Sequence, residues 1–178
     1  MTNWSPFSVA PDGARGAKNR SISTPEGLGD RLRSAAFAEL QATYAFEWAL
    51  GRFADVPQWL SSGWERVIIE ERKHLGWLLA RMEALGVDPA ERAVSIRLWN
   101  TLKRSASAGE FCYWITEAEE WGRKAANAIA PQIMARDPET AAIFEKIAEE
   151  ERFHVALGKR FAKISGYTRE SAHGNRQI

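Results

Sequence analysis

Cysteine is almost missing from this chain. Cys112 is the single one in 178 residues, which rules out an internal disulfide framework and an all-thiolate metal site, since both need several sulfurs at short spacings. A reducing cytoplasm suits such a chain. An excess of one charge is missing too: 24 lysines and arginines stand against 23 aspartates and glutamates, for a net charge of +1. That balance advertises neither nucleic acid, nor a membrane surface, nor an acidic substrate. No stretch approaches the roughly 20 apolar residues that span a bilayer, and no apolar leader follows the first charges, so the protein is read as soluble, unprocessed and cytoplasmic. Gly-rich phosphate loops and period-two alternation are also lacking, which leaves little room for nucleotide-binding or strand-based folds.

What is present is helical periodicity. The length suits one domain with a full core and is too short for two. Residues 1–24 hold Pro6, Pro11, Gly13 and Gly16 with no apolar period, and read as a flexible N-terminal arm. Ser23-Thr24-Pro25-Glu26 is a helix start, with a hydroxyl cap, proline at the first helical position and an early acid. The first helix runs to about Phe53 on a stripe of Leu32, Ala35, Ala36, Thr43, Phe46, Leu50 and Phe53, with Glu39 inside it. Pro57 opens a second helix whose stripe is Trp64, Val67, Ile68, Glu71, His74, Leu75, Leu78, Met82 and Leu85 and which stops at Gly86. Asp88-Pro89 to about Arg104 reads as a shorter crossover helix. A third long helix starts near Gly109 and runs through Phe111, Ile115, Ala118, Gly122 and Ala126, and Pro131 predicts a kink or an early end. The fourth begins at Asp137-Pro138-Glu139 and carries Phe144, Ile147, Glu151, His154 and Phe161 inward. Past Gly166 the chain turns polar, so 167–178, which includes His173, is a tail. The expected class is all-α: a four-helix bundle over 25–166 with a long helical crossover between helices 2 and 3.

Glu71-Arg-Lys-His74 and Glu151-Arg-Phe-His154 carry the chemistry. A spacing of three puts carboxylate and imidazole on one helical face with side chains converging. One such motif is common on a solvated helix. Two, each inside an apolar stripe, place charged groups where leaving them unpaired costs on the order of several kcal/mol. Ferritin-like dimetal proteins compensate such groups with one glutamate from each of two helices and Glu-x-x-His from each of the other two. This chain offers that set in order. Glu39 stands 32 residues before Glu71, and Glu119 stands 32 before Glu151, so the helix pairs repeat at an offset of 80. Carboxylates that bridge hard cations, with one imidazole per ion, favour two iron ions, or manganese, over closed structural zinc. Glu119 is the third-helix ligand in this reading because it keeps the spacing and shares a face with Cys112, Ile115 and Ala126. Glu117, on the face of Glu110 and Lys124, stays open as a substitute or an extra carboxylate; Glu120 reads as solvated.

Further strings carry a resemblance. Glu39-Leu-Gln-Ala, Trp48-Ala-Leu with Arg52-Phe53, the run from Glu71-x-x-His74 into Arg81-Met-Glu-Ala-Leu-Gly86, and Glu151-x-x-His154 resemble ferritin-like proteins of the bacterial group labelled domain of unknown function 455, over roughly residues 30 to 165. Glu119-Glu120-Trp121-Gly122, with Ala130-Pro131 downstream, is similar to the Glu-Ala-Arg-Ser run of tRNA-modifying di-iron hydroxylases. There the first glutamate is the ligand, which implies Glu119, while Trp121 stands where those enzymes carry arginine.

The function expected is a carboxylate-bridged di-iron, or iron–manganese, oxidoreductase that activates O2 on a small substrate and takes electrons from an external donor. Its metal ligands are Glu39, Glu71, His74, Glu119, Glu151 and His154, with no catalytic residue assigned beyond them. An iron-binding ferroxidase or storage protein and a tRNA-modifying hydroxylase are the alternatives. No membrane partner is expected, the charge balance argues against nucleic acid, and an exposed helix face leaves room for a homodimer. The eight tryptophans, among them Trp48, Trp64, Trp114 and Trp121, are assigned to core packing. Tyr44 and Tyr113 are read as core residues with satisfied hydroxyls, Cys112 as a buried structural thiol, and Arg15, Lys18, Arg20, Arg31 and Arg33 as solvated.

Overall fold

The structure, a computed structural model, describes residues 2–168. Within them the chain is helical: α1 Pro25–Arg52, α2 Gln58–Ala84, α3 Arg97–Leu102, α4 Ala108–Ile133 and α5 Pro138–Ile164. The starts follow from side-chain oxygens that satisfy otherwise orphaned helical N–H groups. Thr24 Oγ1 accepts from Gly27 N at 3.1 Å, Ser107 Oγ from Glu110 N at 3.1 Å, and Asp137 Oδ1 from Thr140 N at 3.0 Å. Gly86, at φ 66°, closes the end of α2 in the left-handed region that glycine occupies freely. No helix among the described residues is long and apolar enough to cross a membrane.

The helices form two antiparallel hairpins, α1 with α2 and α4 with α5, joined into a bundle mainly through α2 and α5. The α4–α5 hairpin is tight at Gly158, where a Cβ would lie 1.9 Å from Thr116 Oγ1 and 3.2 Å from the Cys112 carbonyl. Asp137 ties the hairpins together, since the carboxylate that caps α5 also accepts from Arg81 of α2 at 2.7 Å.

The crossover differs from the expected long helix: only Arg97–Leu102 is helical. Asp88 turns the chain by accepting from Ala90 N at 2.8 Å. The buried Arg33 of α1 then holds the Asp88 carbonyl at 2.8 Å and the Glu91 carboxylate at 2.7 Å. Val94 pairs with Val9 of the N-terminal segment in an isolated parallel bridge, with Ala10 N donating to its carbonyl at 2.8 Å and its own N–H donating to Ser8 O at 2.9 Å. Backbone groups that a helix would have used internally are thus used by tertiary partners. The N-terminal segment is draped over α1 and this crossover, with Phe7 and Ala10 buried and Trp4 packed edge-on against Phe37 and Tyr44. The helix α4 runs through Pro131 and ends at Ile133, so the stop comes within a turn of the proline. Trp64 is in the core, Trp48 and Trp114 are half-buried, and Trp121, assigned to the core from its sequence, is 76% exposed. It sits two residues from Glu119, about 200° round the helix and so opposite the buried stripe of α4, and Gly122 beside it and Leu85 at the end of α2, both read into apolar stripes, are exposed as well.

The apolar core comes in two pieces. One holds Leu28 to Leu40 of α1, Leu78 and Met82 of α2, Ala126 to Ile133 of α4 and Ala141 to Ala148 of α5. The other holds Ala42 to Phe53, Leu60 to Ile68, Phe111 to Ile115, and Phe161 with Ala162. On every long helix the break between the pieces falls at one level, at 40–42, 68–78, 115–126 and 148–161. The chain fills that level with charged residues.

Candidate metal centre

Glu39 of α1, Glu71 and His74 of α2, Glu119 of α4, and Glu151 and His154 of α5 meet at this level, and all six are buried. Their donor atoms form two groups, Glu39, Glu71, His74 and Glu151, and Glu71, Glu119, Glu151 and His154. Within each group the atoms lie within 4.8 Å of one another, and Glu71 and Glu151 belong to both. All six candidate ligands read from the sequence are therefore brought together. Glu117 is not: it is exposed on the outer face of α4. Glu120 is half-buried and bound by Arg123 at 2.9 Å and Lys124 at 3.4 Å.

Two further glutamates complete the site, and they were not singled out from the sequence. His74 Nε2 lies 2.7 Å from Glu150 Oε2 of α5, and His154 Nε2 lies 2.8 Å from Glu70 Oε2 of α2. Each histidine is thus oriented by the residue that precedes the other helix's cluster glutamate. With Nε2 occupied, Nδ1 is the nitrogen that faces the carboxylates. His154 Nδ1 stands 3.0 Å from Glu71 and 3.2 Å from Glu151; His74 Nδ1 stands 3.6 Å from Glu151 and 3.8 Å from Glu39. The outer glutamates are held in turn, Glu70 by Arg66 at 2.9 Å and Glu150 by Lys73 at 2.6 Å. A signal for them was available, because Glu70 and Glu150 keep the same offset of 80.

Hydrogen bonds within the protein leave the cluster incompletely satisfied. Both oxygens of Glu71, Oε1 of Glu119 and Nδ1 of His74 are buried and make no hydrogen bond. Burial first, and then the neighbouring carboxylates Glu119 and Glu39, push the Glu71 carboxyl well above the usual range. Burial and Glu151 do the same to Glu119. Burial also opposes ionisation of Glu151, but hydrogen bonds from His154 and His74 override it and hold this carboxyl at about 2. Burial lowers His74, yet its carboxylate neighbours Glu151 and Glu39 outweigh that and lift it to about 10. His154 is raised by the corresponding contacts with Glu151 and Glu70 against its burial. Two divalent cations would bring the four positive charges that four ionised carboxylates need, with both imidazoles neutral. The donor set fits such a pair of ions, and buried Glu and His groups of this kind could hold them.

Other residues weighed from the sequence lie elsewhere. The Tyr44 hydroxyl donates to the Asn3 carbonyl at 2.9 Å, and the Tyr113 ring packs edge-on against Trp114 and tilted against Tyr167. Cys112 is buried, and burial pushes its thiol up to about 12, far from a reactive thiolate. Arg33 is buried rather than solvated and binds Asp30 at 2.9 Å, and the partly exposed Arg20 binds the same carboxylate at 2.7 Å. His173 lies outside the described residues.

No curated protein and no solved structure matches the chain. A family model described as a protein of unknown function, DUF455, matches residues 7–173. That match covers nearly the whole sequence, including every residue of the cluster, and the chain belongs to the DUF455 family.

Proposed function

We propose that this protein is a ferritin-like, carboxylate-bridged dimetal oxidoreductase, holding two iron ions or an iron–manganese pair, that uses O2 to oxidise a small substrate. The observation that carries the reading is the pair of buried four-residue clusters with Glu71 and Glu151 in common. Shared carboxylates are what two adjacent ions require of a bridge. Glu39 with His74 would complete one ion's protein ligands, and Glu119 with His154 the other's. An oxygen-rich set with one imidazole per ion suits iron and manganese better than a closed zinc site. When bound, such a pair supplies one-electron steps and Lewis acidity; the electrons come from an external donor. The chain's own part is to fix both imidazoles through Glu70 and Glu150, to keep bulk water away with the two apolar clusters, and to keep the bridging carboxylates in place.

Elemental analysis of protein expressed with added iron tests this. About two metal ions per chain are expected, lost in a Glu71→Ala, Glu151→Ala variant of unchanged helicity. Oxygen uptake by the anaerobically loaded, reduced protein then separates an oxidase from a passive site. Absence of metal from the wild-type protein under these conditions sinks the proposal.

A further inference from the structure

On the outside of α5, Glu145, Glu149, Arg152, Ala156 and Lys159 follow at steps of three and four, so they form one stripe, and all five are exposed. This stripe is one wall of a groove of about 610 Å³ between α5 and α4, with Ala148 and Val155 in its lining. None of its four charged side chains has an ion-pair or hydrogen-bond partner among the described residues. On the opposite wall, by contrast, Glu120 and Arg123 neutralise one another.

The order along the stripe is acid, acid, base, small, base. Laid antiparallel, the acidic half of one stripe meets the basic half of the other. Two copies of α5 laid antiparallel about a two-fold axis midway between Glu149 and Arg152 bring Glu149 opposite Arg152 of the second copy, and Glu145 within three residues of Lys159 of the second copy. That is the self-complementarity an isologous contact requires. The helix macrodipole, which also favours acids early and bases late, acts within the first and last turns. Glu149 and Arg152 lie in the middle of α5, beyond its reach.

We infer that the outer face of α5 is a homodimer interface in which the stripes of the two copies lie antiparallel on one another, matched by charge. This inference is independent of what the cluster binds. Charge exchange tests it on the full chain by sedimentation equilibrium. Wild-type protein gives twice the 20.0 kDa chain mass and dissociates as salt rises, because exposed pairs are screened over about 3 Å at 1 M. The acid-reversed variant Glu145→Lys, Glu149→Lys and the base-reversed variant Arg152→Glu, Lys159→Glu are each monomeric and fully helical by circular dichroism. Mixed in equal amounts, they regain the dimer. A monomeric wild type, a dimer that survives both reversals, or a mixture that stays monomeric overturns the assignment. If a double reversal fails to fold, the single reversals Glu149→Lys and Arg152→Glu carry the same comparison.

Discussion

Replacing Glu70 by alanine removes the acceptor that lies 2.8 Å from His154 Nε2 while leaving every residue of the cluster in place. His154 is buried, so its Nε2–H is left without a partner, and the ring loses what fixes its Nδ1 toward Glu71 and Glu151. Loss of such an outer partner costs about 10–100-fold in metal affinity, which is roughly 1.4–2.8 kcal/mol. Glu150→Ala acts on His74 in the same way, but by less. The Glu150 side chain is 25% exposed against 14% for Glu70, so water more readily replaces it as acceptor. Glutamine at either position retains a carbonyl oxygen for the imidazole N–H and keeps most of the affinity. Competitive titration of metal-free protein with Mn(II) or anaerobic Fe(II) against a chromophoric chelator reads all four variants, and circular dichroism confirms the fold. Alanine variants that bind both ions as tightly as wild type would refute the orienting role, as would glutamine variants no better than alanine.

Three further outcomes follow from particular contacts. In the metal-free protein, Glu71→Gln raises the melting temperature at pH 7, because the raised carboxyl must take up a proton on folding there; the gain shrinks toward pH 4, where the unfolded chain is protonated as well. Asp30 behaves oppositely. Burial works against its ionisation, but hydrogen bonds from Arg20 lower it from 3.8 to about 2, so its contribution is present above pH 4 and disappears as pH falls through about 2. Asp30→Asn should cost on the order of 2 kcal/mol at pH 7 and converge on wild type in acid, as read from urea unfolding at several pH values. Within one hairpin, Gly158→Ala should destabilise by about 1–3 kcal/mol through its collision with Thr116, whereas Gly122→Ala, which meets open space, should stabilise by up to about 1 kcal/mol. Thermal melts that rank these two the other way would contradict the packing described.

The four long helices were legible because their signals are local: Thr24-Pro25, Asp137-Pro138 and Gly86 mark ends by chemistry confined to a few residues. The cluster was legible because the period that buries Val67, Leu78 and Met82 buries Glu71 and His74 with them. What escaped was tertiary. Residues 88–96 have a plausible helical composition, and only the buried Arg33, reaching across from α1, explains why their backbone turns outward. Phe7 and Trp4 lack any period, yet they cover α1 because the crossover gives them a wall to pack on. Glu70 and Glu150 lie one residue outside the apolar stripes, where a glutamate is ordinarily solvated, and their role requires knowing that α2 and α5 are neighbours.

A bundle selected for stability alone has no use for the level between its two apolar clusters. Four carboxylates and two imidazoles there displace side chains that could have made one continuous core, and four of their polar atoms are buried with no hydrogen bond. Each such atom costs about 1–3 kcal/mol, a large share of the 5–15 kcal/mol that holds a domain folded. The burden is also arranged: it repeats at the offset of 80, it is shared equally by the two hairpins, and two outer glutamates aim both imidazoles inward. Ordinary buried ion pairs cancel locally and need no such symmetry. Cations placed among these unsatisfied oxygens and nitrogens would stabilise the cluster, so metal loading should raise the melting temperature. A melting temperature unmoved by saturating Fe(II) or Mn(II) would leave this level of the bundle without a physical explanation.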